Sequence, residues 1–237
     1  MTPSRTISAR SARAGHLLLV ILIPGLLLAA TWYAPGMSNA ERAITPDEAL
    51  KQLLEGNQRY IDGQMRSHDH TADRKKLATG QSPSVIILRC ADSRVAPEII
   101  FDQNLGELFV CGVAGNTPTT EIVASMEYAV SVLGSCVIVV MGHSSCGALD
   151  AAIDNFDDVD ELPGNLPTLV SRFLPAVMEA KEKDGDLLTN AIRVNALMSA
   201  EQLPRMSTIL QQAVKKGELK VVGGVYDLST GRFTLVD

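Results

Sequence analysis

Residues 137–153 read VIVVMGHSSCGALDAAI, an apolar run that ends in a polar, glycine-containing segment and continues into a helix-forming stretch. Five consecutive apolar residues predict a strand buried on both faces, as in a parallel sheet. Residues 85–88 (VIIL) and 108–111 (LFVC) repeat this pattern, and the apolar positions of 119–133 follow a helical period behind Thr119. The chain is therefore predicted to be an α/β protein with a central, mostly parallel sheet flanked by helices.

The flanks of this core add helices and a hairpin. Residues 45–48 (TPDE) combine an N-cap threonine, a proline at the first helical position and a capping box, so a helix is predicted from there to about Tyr60. Two or three further helices are expected within 169–216. Near the carboxyl end, a turn at 229–231 separates two strand-like runs, which predicts a C-terminal hairpin.

The stretch 62–81 is polar and contains two nearby histidines, His68 and His70. Histidines two residues apart could bind a metal from a strand, but so polar a run favours a solvated loop. We therefore expect a loop here.

Composition limits the class of protein. The chain has 237 residues, 46% of them hydrophobic, which suffices for one sizeable α/β domain. Its net charge is −6 and only 4% of its residues are aromatic. Nucleic-acid binding requires a basic surface and is helped by stacking side chains, so nucleic acid is not expected as a partner.

The first forty residues differ from the rest. Arg5, Arg10 and Arg13 precede an apolar run at 17–30, and small residues at 38–40 offer a cleavage site. This order predicts that residues 1–40 are a signal peptide and that the protein is periplasmic or secreted. The alternative is an uncleaved N-terminal membrane anchor with the protein facing the periplasm, because the aromatic pair at 32–33 could extend the run toward a span.

Four cysteines in an exported chain invite a disulfide interpretation. A domain of this size does not need a covalent staple, however, and Cys90 and Cys146 have polar neighbours typical of a functional site. Cys111 ends one predicted strand and Cys136 begins another, which places them at opposite ends of the sheet. Two small buried hydrophobic side chains are the better interpretation of this second pair.

Each predicted strand ends in a polar or glycine-rich segment, namely 90–94 (CADSR), 112–116 (GVAGN) and 142–147 (GHSSCG). Ligands bind beyond the carboxyl ends of parallel strands, so the three segments should converge. Cys90, His143 and Cys146 then supply three zinc ligands and leave the fourth position for water, as in catalytic zinc sites.

Asp92 is the candidate for that fourth position. Arg94, two residues on, would keep the Asp92 carboxylate ionised and in place. Asp92 could then accept a hydrogen bond from a zinc-bound hydroxide, or ligate zinc only in a closed state of the site. The alternative is a surface ion pair of little energy.

The motifs C-x-D-x-R at 90–94 and G-H-S-x-C-G at 142–147 together resemble those of the β-class carbonic anhydrases. The resemblance covers nearly the whole mature chain, so 41–237 is expected to be a single catalytic domain of β-carbonic anhydrase-like fold. It implies one Zn²⁺ per subunit, held by Cys90, His143 and Cys146. The implied reaction is the reversible hydration of carbon dioxide to bicarbonate and a proton, by attack of zinc-bound hydroxide in a homodimer or a larger homo-oligomer.

Further site residues follow from the resemblance alone. It assigns catalytic roles to Asp92 and Arg94, a hydrogen bond to substrate or product to Gln81, and the substrate pocket to Phe109 and Tyr128, with Gln81 and the aromatic pair usually contributed across the subunit interface. The chain departs from the family at Gly112, where an arginine is usual. That arginine helps to form an inhibitory bicarbonate site in some relatives, so its absence argues against such regulation and puts the local loop or dimer packing in question.

Two other functions are compatible with the same residues. One is hydrolysis of CS₂ or COS, which relatives of this fold perform with the same zinc ligands. The other is a zinc-binding or redox-sensing protein without turnover, in which Asp92 completes a four-ligand site. Metal content and CO₂ hydration separate these alternatives.

Overall fold

The computed structural model describes residues 44–236, so the predicted signal peptide or anchor at 1–40 lies outside the described residues. Five strands form one sheet in the order β2-β1-β3-β4-β5. Its strands are β1 (Val85–Arg89), β2 (Leu108–Gly112), β3 (Val137–His143), β4 (Lys220–Tyr226) and β5 (Phe233–Val236). The first four are parallel to one another and β5 is antiparallel to β4, so the predicted fold class and the C-terminal hairpin are confirmed.

Helices cover both faces of the sheet. They are α1 (Pro46–Ile61), α2 (His70–Lys76), α3 (Pro97–Ile100), α4 (Thr120–Ser131), α5 (Gly147–Asp154), α6 (Leu166–Val170), α7 (Leu174–Ala180), α8 (Leu187–Met206) and α9 (Thr208–Lys215). Within 44–236, none combines the length and the hydropathy needed to cross a bilayer. The helix predicted from residue 45 is confirmed, because the Thr45 hydroxyl accepts a hydrogen bond from Glu48 N at 3.3 Å.

The core lies on both faces of the sheet because the side chains of a strand alternate between them. In β1, Val85 and Ile87 face a cluster that contains side chains of α1, α3, α5 and α7, whereas Ile86 and Leu88 face α4, α8 and α9. All seven residues of β3 are buried. This explains the continuous apolar run from which the fold was predicted, since a central parallel strand has no solvent-facing side.

Two predicted regions differ in detail from the structure. The stretch 62–81, expected to be a loop, contains α2, because Asp69 caps it by accepting hydrogen bonds from Thr71 N and Ala72 N, both at 3.1 Å. The region expected to hold two or three helices holds the four helices α6 to α9 and begins at Leu166. A proline is the second residue of both α6 and α7, where it favours the start of a new helix, so this region contains more helices than predicted.

The paired histidines belong to a polar network and not to the cluster of metal-ligating side chains. Asp102 is fully buried, and its carboxylate accepts a hydrogen bond from Arg59 Nε at 2.6 Å. His68 Nε2 lies 3.7 Å from the same carboxylate, and His70 Nδ1 lies 3.2 Å from Asn104 Oδ1. These contacts fasten the segment after α1 to the turn after α3.

Candidate metal centre

Three potential metal ligands meet where strands β1 and β3 end. Cys90 directly follows β1, His143 is the last residue of β3, and Cys146 precedes the first residue of α5. Their ligand atoms all lie within 4.8 Å of one another, and all three side chains are buried. Among residues 44–236 this is the one such group of three or more histidine, cysteine or acidic side chains. The predicted convergence of the strand ends is therefore present.

The imidazole of His143 is oriented for metal binding. Its Nδ1 donates a hydrogen bond to the Ser144 carbonyl oxygen at 2.9 Å, which fixes the tautomer that leaves the Nε2 lone pair free. Nε2 is buried and has no hydrogen-bond partner among the described residues. A buried nitrogen without a partner is costly unless a ligand completes it, so the residues fit a zinc ion.

The pKa values of the two cysteines are shifted in opposite directions. The neighbouring Cys146 side chain lowers the pKa of Cys90 to about 4, and the Gly115 N–H that donates to the Cys90 sulfur acts in the same direction, against the opposing effect of burial. The pKa of Cys146 is raised, first by this same contact with Cys90 and then by burial. Cysteine binds zinc as a thiolate, so metal binding has to displace the thiol protons, and the low pKa of Cys90 favours this step at that position.

Asp92 lies beside the three ligands and outside their cluster. Arg94 donates from Nε to Oδ1 at 2.9 Å and from Nη2 to Oδ2 at 2.7 Å, and its backbone N–H also donates to Oδ1 at 2.9 Å. These hydrogen bonds hold the pKa of Asp92 well below its usual range. Asp92 Oδ2 is 3.9 Å from His143 Nε2, so in this conformation Arg94 holds the carboxylate at the edge of the site.

A tight turn at Ala114–Asn116 closes the site from a third side. Gly115 N donates to Cys90 Sγ at 3.3 Å, and Gly115 has a φ of 70°. The pattern of strand ends predicts that the segment 112–116 lies at the site, but it predicts no role for Gly115 itself. A glycine in a short segment after a buried strand is the sequence feature that indicates such a turn, because turns of this kind often require a positive φ.

Gly115→Ala is expected to destabilise the protein by about 2 kcal/mol or more, because an added Cβ meets both a left-handed backbone and a packed ring. The Cβ would overlap the ring of Phe173. Thermal unfolding measures the effect. Gly147→Ala is the matched control: it lies at the start of α5, and its added Cβ meets nothing within 4 Å. Equal melting temperatures for the two variants would contradict this account of the turn.

The other predicted site residues do not reach this centre within one chain. Gln81 is exposed and lies four residues before β1, near the end of that strand opposite to Cys90. Phe109 packs on the face of the sheet opposite to the ligands, and Tyr128 on α4 is 48% exposed. Their predicted roles therefore require a second copy of the chain.

The departure at Gly112 has a local explanation. Gly112 is the register partner of Arg89, the residue before Cys90. A Cβ at Gly112 would lie 3.5 Å from Arg89 Cζ, so the guanidinium of Arg89 covers the glycine. Arg89 Nη1 donates to the Cys90 carbonyl oxygen at 2.7 Å. The space over Gly112 is therefore occupied by the cationic side chain of the neighbouring strand.

Within residues 44–236 none of the four cysteines forms a disulfide, and all four are buried. Burial raises the pKa of the Cys111 thiol to about 11, so this side chain is a neutral thiol at physiological pH. Cys111 is in register with Leu88, whereas Cys136 precedes Val137, which is in register with Val85 at the other end of β1. The interpretation of both as small buried side chains agrees with these positions.

Comparison with known proteins supports the same conclusion as the site. The family described as carbonic anhydrase matches residues 85–233. Carbonic anhydrase 2 of Mycobacterium tuberculosis is 37% identical over 193 residues, which cover 81% of this chain and 93% of that protein. The carbonic anhydrase of Mycolicibacterium smegmatis is 34% identical over 80% of this chain and 93% of its own length.

Among solved structures, the β-carbonic anhydrase CcaA is similar with a TM-score of 0.62. It is 27% identical and is matched over 79% of this chain and 95% of its own. The sequence and structure matches cover most of the length of both proteins that are compared, and the Cys–His–Cys centre is present. The chain therefore belongs to the β-class carbonic anhydrase family.

Proposed function

We propose that this protein catalyses the zinc-dependent, reversible hydration of carbon dioxide to bicarbonate and a proton. The observation that carries the proposal is the buried group of Cys90, His143 and Cys146 beside a carboxylate held by an arginine. The relatives that this chain resembles are named carbonic anhydrases, and this favours CO₂ hydration over CS₂ or COS hydrolysis and over a zinc protein without turnover.

Cys90, His143 and Cys146 would hold the zinc ion through Sγ, Nε2 and Sγ. When bound, zinc supplies Lewis acidity that lowers the pKa of a water molecule toward neutrality, so that hydroxide is available to attack the carbon of CO₂. Two thiolates would neutralise the charge of the ion. Because all three ligand side chains are buried, water has little access to displace them from the metal. The hydrogen bond from Gly115 N to Cys90 Sγ supports the thiolate form.

Asp92 would orient the nucleophile. Its carboxylate stays ionised because Arg94 lowers its pKa, so Asp92 accepts hydrogen bonds and does not donate them. An O–H group beside Oδ2 must therefore point its hydrogen at Asp92, which leaves an oxygen lone pair directed at the substrate. Arg94 fixes the carboxylate and also reaches the Ser145 carbonyl oxygen at 3.4 Å, which ties the orienting group to the segment between His143 and Cys146.

The function is tested by measuring CO₂ hydration and zinc content on the same purified protein. We expect about one zinc per chain, hydration well above the buffer rate, loss of both after chelation and recovery on adding zinc. A zinc-loaded protein that hydrates CO₂ no faster than buffer would exclude the proposal. Faster hydrolysis of COS or CS₂ than hydration of CO₂ would instead favour the alternative substrate.

The complete site would be formed by a homodimer or a larger homo-oligomer. Gln81 and Tyr128 are exposed, and Phe109 lies on β2, which is an edge strand of the sheet. In a two-fold dimer each chain would contribute these residues to the site of its partner, because the same surface patch is used by both copies. Gln81 would then bind an oxygen of substrate or product, and the two aromatic side chains would enclose nonpolar CO₂.

Mixing two defective variants tests this shared site. Gln81→Ala and Asp92→Ala are each expected to have low activity. After subunit exchange in an equal mixture, about half of the dimers are mixed, and one of the two sites in each mixed dimer is intact. The mixture should therefore recover roughly a quarter of the parental activity. Mass measurement of the native assembly shows whether dimers form at all. A mixture that stays as inactive as the separate variants, with exchange confirmed, would place Gln81 outside the partner's site.

The protein would act in the periplasm or outside the cell. The support is the sequence of residues 1–40, with arginines before an apolar run and small residues at 38–40. The mass of the exported protein distinguishes the two forms, because a start near Glu41 indicates cleavage and an intact Met1 indicates an anchor. Full-length protein in the cytoplasmic fraction would contradict export.

A further inference from the structure

The Cys90 sulfur receives a backbone hydrogen bond whose donor is fixed from a distant part of the chain. Gly115 N donates to Cys90 Sγ at 3.3 Å. On the other side of the turn, the Gly115 carbonyl oxygen accepts from Asn195 Nδ2 at 2.9 Å. Asn195 lies on α8, eighty positions further along the chain, and is only 5% exposed. One buried amide thus joins α8 to the turn that contacts a zinc ligand.

Backbone hydrogen bonds hold the two ends of the turn, because Asn116 N donates to the Val113 carbonyl oxygen at 3.0 Å and Val113 N donates to that of Arg89 at 3.2 Å. The conformation of the turn needs the positive φ of Gly115, which glycine adopts freely and does not enforce. Phe173 packs against the vacant Cβ position of Gly115 from one side and prevents movement in that direction. A buried hydrogen bond to the peptide oxygen adds the directional constraint that packing lacks, because hydrogen bonds depend steeply on angle.

We propose that Asn195 is a positioning residue for the metal centre. By holding the Gly115 carbonyl, it keeps the neighbouring N–H directed at Cys90 Sγ and so stabilises that sulfur as a thiolate ligand. Hydrogen bonds to ligating atoms from outside the ligand shell tune metal affinity by about 10- to 100-fold. The inference rests on the zinc site of the proposed function, and it concerns how firmly the metal is retained.

A purely structural role makes a different prediction. If Asn195 only satisfies a buried carbonyl, its loss lowers the melting temperature and leaves the properties of the bound metal unchanged. If it positions Gly115, its loss also changes the bond between the metal and the Cys90 sulfur. The energy of the thiolate-to-metal charge-transfer absorption of Co²⁺-substituted protein reports on that bond and does not depend on global stability.

The test compares Asn195→Ala and the isosteric Asn195→Asp with the parent. Zinc dissociation is measured against a chromophoric chelator, and the charge-transfer band is recorded after Co²⁺ substitution. We expect zinc to bind about tenfold or more weakly in both variants, with a shifted band. Asn195→Asp keeps the side-chain volume, so it still tests the proposal if the cavity left by alanine prevents the Asn195→Ala variant from folding.

Ser199→Ala is the matched control. Ser199 lies one turn further along α8, is equally buried at 5% exposure and lines the same cavity of about 560 Å³ as Asn195. We expect its zinc affinity to stay within about twofold of the parent and its band to be unshifted. Equal losses in Ser199→Ala and Asn195→Ala, or unchanged affinity and band in both Asn195 variants, would overturn the proposal.

The readout separates this inference from the proposed function. Metal retention is measured without CO₂ turnover, so an inactive parent protein that binds zinc would count against the function alone. A parent protein that binds no zinc would overturn both.

Discussion

Replacing Cys146 with serine is expected to remove zinc from the protein and to reduce CO₂ hydration to the rate of buffer. Cys146 is one of three buried ligand side chains, and a serine hydroxyl is a far weaker ligand than a thiolate. The change also removes the neighbouring side chain that lowers the pKa of Cys90. The loss of affinity should exceed the roughly 10- to 100-fold caused by changes outside the ligand shell. Metal analysis after dialysis and a stopped-flow hydration assay measure the two effects.

Cys111→Ser provides the matched control for this prediction. Cys111 is also buried but lies on β2, outside the cluster of metal-ligating side chains. The same chemical change there should lower stability slightly, since a hydroxyl enters an apolar environment, and should leave zinc content near one per chain. Full zinc retention in Cys146→Ser would remove Cys146 from the ligand set and leave the site without its third protein ligand.

Asp92→Ala is expected to retain zinc and lose most of its activity, with kcat/KM falling by about 10²- to 10³-fold. The carboxylate lies outside the three-ligand cluster, so the metal keeps all its protein ligands. What is lost is the group that Arg94 holds at 2.7 Å and that orients the attacking oxygen. Paired measurement of zinc content and hydration kinetics checks both halves of the prediction.

Asp150→Ala tests whether the loss is specific to position 92. Asp150 is an exposed carboxylate in the first turn of α5, four residues beyond Cys146. Its removal should lower stability by about 0.3–1 kcal/mol through the helix dipole and leave kcat/KM near the parental value. Parental hydration by Asp92→Ala would refute the orienting role of this carboxylate, and loss of zinc would show that Asp92 ligates the metal.

The fold was predictable because its main signals are local. The runs at 85–88, 108–111 and 137–141 are apolar at every position, and all three are strands in the structure. The edge strand β2 differs from the other two in that Phe109 and Val110 are only half-buried. The helix α2 was missed because its stability comes from the Asp69 cap and not from an apolar face, since none of its residues is buried. The helix α3 has four residues, too few to establish a helical period.

The site was predictable to the extent that it depends on side-chain type at strand ends. Cys90, His143 and Cys146 follow from ligand chemistry and from the edge that parallel strands share. Contacts between distant segments were not predictable in the same way. The bond from Asn195 to Gly115 joins positions eighty residues apart, and asparagine in a helix has many common roles. The direction of the Arg89 side chain toward Gly112 likewise depends on a rotamer, which no sequence pattern specifies.

The cover of Gly112 by Arg89 makes the two positions epistatic. The Arg89 guanidinium carbon lies 3.5 Å from where a Cβ at position 112 would stand, so an arginine at 112 would have to compete with it for the same space. Two guanidinium groups there would also repel each other. An arginine at position 112 is therefore more compatible with a small side chain at position 89 than with Arg89.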